Sequence, residues 1–119
     1  MRYLMMVKVY DEAQACAPRN PELDEAIRRL TEGLAKSGVI ETVGGLLTSE
    51  TGAVVKASGG KLTVIDGPFT EAKEIIGGFA ILNCASKEEA IERGRTFMQL
   101  HADFLGPSYQ GELEIRQMA

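Results

Sequence analysis

The sequence predicts an α+β fold in which two helices cover one face of a sheet. Three observations carry that expectation. Apolar residues alternate with period two at both ends of the chain, two longer segments repeat them at helical spacing, and glycine-rich links punctuate short strand-like runs in between. Tyr3, Met5, Val7 and Val9 alternate with Leu4, Met6, Lys8 and Tyr10, which gives a first strand with one strongly apolar face and one mixed face, suited to the centre of a sheet. A polar loop over residues 11–19 leads to Asn20-Pro21, an N-cap followed by proline at the first helical position. Glu22, Asp24 and Glu25 suit the positive end of the helix dipole, Leu23, Ile27, Leu30 and Leu34 recur at helical spacing, and Lys36 and Gly38 close the element.

Residues 39–47 read as a second strand, with Gly44-Gly45 marking a bulge or bend, and residues 53–57 and 61–65 flank Ser58-Gly59-Gly60 as a hairpin. A further strand is expected over residues 78–84. Ser86-Lys87-Glu88-Glu89 forms a capping box that opens a helix to about Phe104, stopped by Gly106-Pro107. Leu113, Ile115 and Gln117 alternate with Glu112, Glu114 and Arg116, so the last element is a half-exposed strand. In order this is a ferredoxin-like βαββαβ plan with an inserted β-hairpin, in a single domain over residues 1–119. With both helices on one face, Leu4, Met6 and Ile81 lie on an uncovered face, and a homodimer through that open sheet face is the expected partner arrangement.

Bulk properties narrow the function classes. A chain of 119 residues with 45% hydrophobic and 25% charged residues has the composition of an ordinary globular domain, and no apolar run approaches the ~20 residues of a membrane span. The start is interrupted by Lys8 and lacks a small-residue cleavage site, so no signal peptide and a cytoplasmic location are expected. A net charge of −4 with scattered Lys and Arg argues against direct nucleic-acid binding. Cys16 and Cys84 form no CxxC pair and are expected as reduced thiols, Cys84 in the core and Cys16 in a loop. No G-x-x-x-x-G-K-[ST], G-x-S-x-G or H-E-x-x-H run occurs, and His101 is the only histidine, so neither a cofactor nor a metal is expected.

The chemistry concentrates in one link. Asp66-Gly67-Pro68-Phe69, followed by Thr70-Glu71-Ala72-Lys73-Glu74 and Gly77-Gly78-Phe79, combines a stiff Gly-Pro turn with a carboxylate and a charged run. Asp66, at a strand end beside the turn, is the leading acid/base candidate, although Asp before Gly also serves simply as a turn device. Glu71, Lys73 and Glu74 can set carboxylates around an ammonium, or stand as solvated ion pairs. Phe69 and Phe79 can wall a pocket for a flat ligand or act as core anchors. His101 follows Ala90, Ile91, Gly94, Phe97 and Met98 on the apolar face of the second helix; it is a third catalytic candidate beside Asp66 and Glu71 if it meets the Asp66 cleft. Tyr10 stands at the end of the first strand as a ligand-binding candidate with Phe69 and Lys73, beside Asp11 and Glu12, to which no motif gives a role.

The run Asp-Gly-Pro-Phe-x-Glu-x-Lys-Glu-x-x-Gly-Gly-Phe resembles the signature of the DGPF branch of the YCII-related family. The resemblance extends over nearly the whole chain, with its specific motif confined to residues 66–79. It implies a dimeric α/β barrel in which two sheets face each other, and it favours Glu71 and Lys73 as site residues. It implies either a cofactor-independent isomerase or lyase acting by acid/base chemistry on a small acidic or hydroxylated ring compound, or a non-catalytic ligand-binding or protein-interaction module with an accessory regulatory role. Members of the wider family have been proposed to use a His-Asp pair whose histidine lies in the amino-terminal part; this chain has no histidine there.

Overall fold

A computed structural model describes residues 1–10, 20–69 and 75–119. Strands β1 (Arg2–Val9), β2 (Ile40–Gly45), β5 (Ile75–Asn83) and β6 (Gly111–Gln117) form an antiparallel sheet in the order β2-β5-β1-β6. Helices α1 (Pro21–Lys36) and α2 (Lys87–Leu105) lie on one face, and β3 (Ala53–Ser58) with β4 (Lys61–Asp66) makes a separate two-stranded ribbon. This mixed α+β architecture is compatible with the ferredoxin-like plan read from the sequence, with β1 central as expected.

The caps work as the sequence chemistry requires. Asn20 Oδ1 accepts the Leu23 N–H at 2.9 Å, and its Nδ2 donates to the Phe104 carbonyl at 3.3 Å, tying the start of α1 to the end of α2. Ser86 Oγ accepts the Glu89 N–H at 3.1 Å, while the Glu89 carboxylate accepts the Ala85 N–H at 2.7 Å, one residue before the cap. Gly59 and Gly60 both take positive φ at the ribbon turn, as a two-residue hairpin link demands.

Three expectations need correction. The bulge in β2 falls between Ile40 and Thr42, not at Gly44-Gly45; the extra residue, Glu41, is swung out to receive a bidentate ion pair from Arg2 at 2.8 and 2.9 Å. Gly44 instead makes room for an aromatic ring, since a Cβ there would lie 2.8 Å from Phe79 Cε1. Phe79 accordingly sits inside β5 and pairs with Gly44 and Met6 on the face away from the helices, half-buried, rather than opening a strand as a core anchor. Finally, β5 begins at Ile75, three residues before the expected start, because pairing with Lys8 and Val9 carries the ladder past a bulge.

The core is compact and sits at one end of the sheet. Tyr3, Met5, Leu82, Cys84 and Ala90 form the buried cluster, with Ile40, Ala80, Leu113 and Ile115 packed against it. Burial raises the Cys84 thiol, in keeping with its expected core role. On the opposite face Leu4, Met6, Phe79 and Ile81 are half-buried by their sheet neighbours. Beside them Lys8 Nζ donates to Glu114 Oε1 at 2.8 Å, and Arg116 approaches Glu114 Oε2 at 3.4 Å.

The Lys8 hydrogen bond, more than its charge, holds the Glu114 carboxyl below its ordinary value. A carboxyl depressed in the folded state contributes stability above its unfolded pKa and loses it as pH falls through the folded one. Glu114→Gln should therefore flatten the acid side of the stability profile while leaving its neutral to alkaline shape unchanged. Urea midpoints measured across that range check this, and an unaltered acid limb would deny the pair its role.

Candidate functional site

The apolar stripe of α1 does not close fully onto the sheet. Leu23 is buried, but Ile27, Leu30 and Leu34 are half-buried and face Met5, Val7 and Val9 across a chamber of about 600 Å³. The buried cluster plugs one end of the helix–sheet interface, and the chamber occupies the part toward the end of β1. A largely apolar cavity of this size with a few polar groups on its wall is the usual form of a small-molecule site.

Those polar groups come from both helices and the link after α2, with Asp24 and Thr31 on α1 and Arg93, His101 and Tyr109 on the other side. His101 Nδ1 lies 3.0 Å from the Phe97 carbonyl. A carbonyl oxygen only accepts, so Nδ1 carries the proton in this bond and Nε2 of the neutral ring is left as a proton acceptor. The imidazole is tilted against the Phe97 ring at 4.7 Å and stacked on Tyr109 at 5.5 Å. Burial raises the Tyr109 phenol, which keeps it protonated through neutral pH. Tyr10, at the end of β1, also borders the chamber, and its hydroxyl donates to Glu112, the residue paired with Lys8 on the face away from the helices. Arg93, two helical turns before His101, lines the chamber as well.

The structure brings together Tyr10 and His101 from among the candidates read in the sequence. Asp66 lies elsewhere in the chain: exposed at the end of β4 and paired with Ala53, it does not line the chamber. Phe69 is half-buried with its ring 3.6 Å from where a Gly52 Cβ would stand. Glu71, Lys73 and Glu74, like the loop over residues 11–19 with Asp11, Glu12 and Cys16, lie outside the described residues. Arg93 and Tyr109 were not singled out from the sequence. Arg93 shares the four-residue spacing of Phe97 and His101 and was accessible to a periodicity argument, whereas Tyr109 sits in a non-helical link with no pattern to mark it.

The signature turn has a clear structural task. It docks the foot of the ribbon onto a 3₁₀ turn at Ser49–Thr51: Gly67 N–H donates to the Gly52 carbonyl at 2.8 Å and Phe69 N–H to the buried Ser49 Oγ at 2.9 Å. A Cβ on Gly67 would stand 1.7 Å from the Ser49 carbonyl oxygen, so only glycine fits.

Comparison with known proteins gives this arrangement a family. Residues 1–98 match the family model for the YCII-related domain. The chain belongs to the YCII-related family. A relative of this YCII-related protein, the uncharacterized protein R00369 of Rhizobium meliloti (strain 1021), is 29% identical over 120 residues, covering 98% of this chain and 92% of that protein. Among the described residues no helix is long and apolar enough to cross a membrane, and no group of three or more His, Cys, Asp or Glu side chains could hold a metal ion.

Proposed function

We propose that this YCII-related protein binds a small, largely apolar ring compound in the helix–sheet chamber and that His101 exchanges a proton with it, as a cofactor-independent isomerase or lyase would. The observation that carries this reading is the His101 ring itself: its Nδ1 is held by the Phe97 carbonyl, which leaves Nε2 as the ring's acceptor, and the residue borders an apolar cavity. Tyr109, stacked on His101, brings a phenol ring to the same wall, suited to an acidic or hydroxylated ligand. Asp66, with Glu71 and Lys73, forms the competing location for acid/base chemistry at the signature loop. A non-catalytic binding module is the second reading, favoured by the packing duty that already accounts for Gly67 and Phe69.

A thermal-shift screen of small organic acids, phenols and lactones, followed by turnover assays on the hits, tests these readings. A ligand at 100 times its Kd adds ~2.7 kcal/mol, a rise of several degrees. His101→Gln should keep the thermal shift and lose roughly 10²–10⁴-fold in turnover. Undiminished turnover in His101→Gln with loss in Asp66→Asn would move the chemistry to the signature loop. A shift without turnover on any hit would favour the binding module.

We further propose a cytoplasmic homodimer of the dimeric α/β-barrel type, and membership of the DGPF branch on the strength of residues 66–69. The apolar row Leu4, Met6, Phe79 and Ile81 is the face that a second copy would cover. The ribbon supports the same arrangement, since Val55, Leu62 and Val64 on one of its sides are 66%, 75% and 65% exposed. A lone two-stranded ribbon is marginal in water. The Cα radius of gyration of 15.9 Å exceeds the roughly 13.5 Å expected of a compact chain of this length, in keeping with an arm that reaches toward a partner.

A further inference from the structure

We infer that the chamber selects aromatic anions, with a ligand carboxylate held by Arg93 and the ring system lying along Phe97 toward His101. This rests on the chamber being a ligand site, as proposed above, and adds the charge and orientation of what enters it. Arg93 Nε is enclosed by the protein and has no hydrogen-bond partner, while the side chain as a whole is 41% exposed. Its guanidinium is only loosely engaged. Arg93 Nη2 lies 3.6 Å from Glu89 Oε1, beyond hydrogen-bond reach, while Glu89 Oε2 is already committed to the Ala85 N–H at 2.7 Å.

A partly open guanidinium whose ion pair is only 3.6 Å long can receive a second anion, and its fork matches a carboxylate better than any other small group. Arg93 lines a chamber whose other walls are mainly aliphatic and aromatic, so the anion that satisfies it must carry an apolar body. Spacing fixes the length of that body. Arg93, Phe97 and His101 recur every four residues on α2, so the first and last are separated by about 12 Å along the axis, with the Phe97 ring between them. A bicyclic aromatic carboxylate with a hydroxyl at its far end spans that distance, setting the carboxylate on Arg93 and the hydroxyl toward His101 Nε2.

The test uses 6-hydroxy-2-naphthoate and its neutral counterpart 6-hydroxy-2-naphthamide, titrated by their own fluorescence, which the absence of tryptophan in the chain leaves unobscured. The naphthoate should bind the wild-type protein about tenfold or more tightly than the amide, as expected for a hydrogen bond to a charged group. Arg93→Gln should remove that preference while leaving amide binding unchanged, and Arg93→Lys should restore part of it. Unfolding midpoints confirm that each variant is folded. Equal binding of both probes, undisturbed by Arg93→Gln, would overturn the anion assignment while leaving the chamber as a neutral-ligand site. Failure of both probes to bind would overturn the inference and, with an empty thermal-shift screen, the chamber reading too.

Discussion

Gly67→Ala should destabilise the protein by about 3 kcal/mol, the upper range for overpacking, because the new methyl group meets backbone rather than a side chain that could rotate away. Its carbon would lie 1.7 Å from the Ser49 carbonyl oxygen and 2.6 Å from the carbonyl carbon, so the 3₁₀ turn and the ribbon foot must separate. Separation also breaks the Gly67-to-Gly52 and Phe69-to-Ser49 hydrogen bonds and leaves Ser49, now buried, partly unsatisfied. Gly45→Ala is the matched control: a Cβ there meets nothing within 4 Å, and its change should stay within about 1 kcal/mol. Urea denaturation of both variants decides the matter, and a Gly67→Ala protein as stable as Gly45→Ala would mean that the turn is not docked as described.

The second large effect is on mass. Light scattering of the wild-type protein should give twice the 12.9 kDa of one chain at micromolar concentration. Ile81→Lys, which places an ammonium among Leu4, Met6 and Phe79, should return the mass to that of a single chain, since a charge buried between two sheets has no partner to offset its desolvation. Because that change could also weaken the fold, Val64→Lys provides a second probe. Its side chain is exposed on the ribbon within one chain, so it should leave the core untouched and shift the dimer toward monomer through lost contact with the partner. A wild-type protein of single-chain mass would remove the dimer from the proposed function. A dimer unaffected by either lysine would place the interface elsewhere.

Much of the fold was legible because its signals are local. Asn20-Pro21 and Ser86 through Glu89 mark helix starts by side chains that satisfy nearby amides, and Ser58-Gly59-Gly60 marks a hairpin by the φ values its turn requires. The alternation in residues 3–9 assigned Tyr3 and Met5 to the buried face correctly. The misplaced bulge and the misread Phe79 fail for a common reason. A glycine pair in a strand announces that space is needed, but whether a bend or a neighbouring ring takes that space depends on the strand paired alongside.

The candidate site was less legible. His101 and Tyr10 were identified by residue type and by position on their elements, yet they are 91 residues apart in sequence and border one chamber only because β6 returns beside β1 and brings the link after α2 with it. His101 was a candidate on condition that it reach the Asp66 cleft or a partner subunit, and within one chain Asp66 is not among the residues bordering the chamber that His101 lines. By itself the sequence determined the order and type of the elements, their caps and turns, and the family, all of which rest on interactions between residues close in the chain or on a short contiguous motif. Tertiary structure alone decided that Gly67 is a docking point, that Phe79 fills the space over Gly44, and that Arg93, His101, Tyr109 and Tyr10 border one chamber. Those facts depend on register and on how far a helix stands off a sheet, which are set by packing between distant segments and leave no period in the sequence.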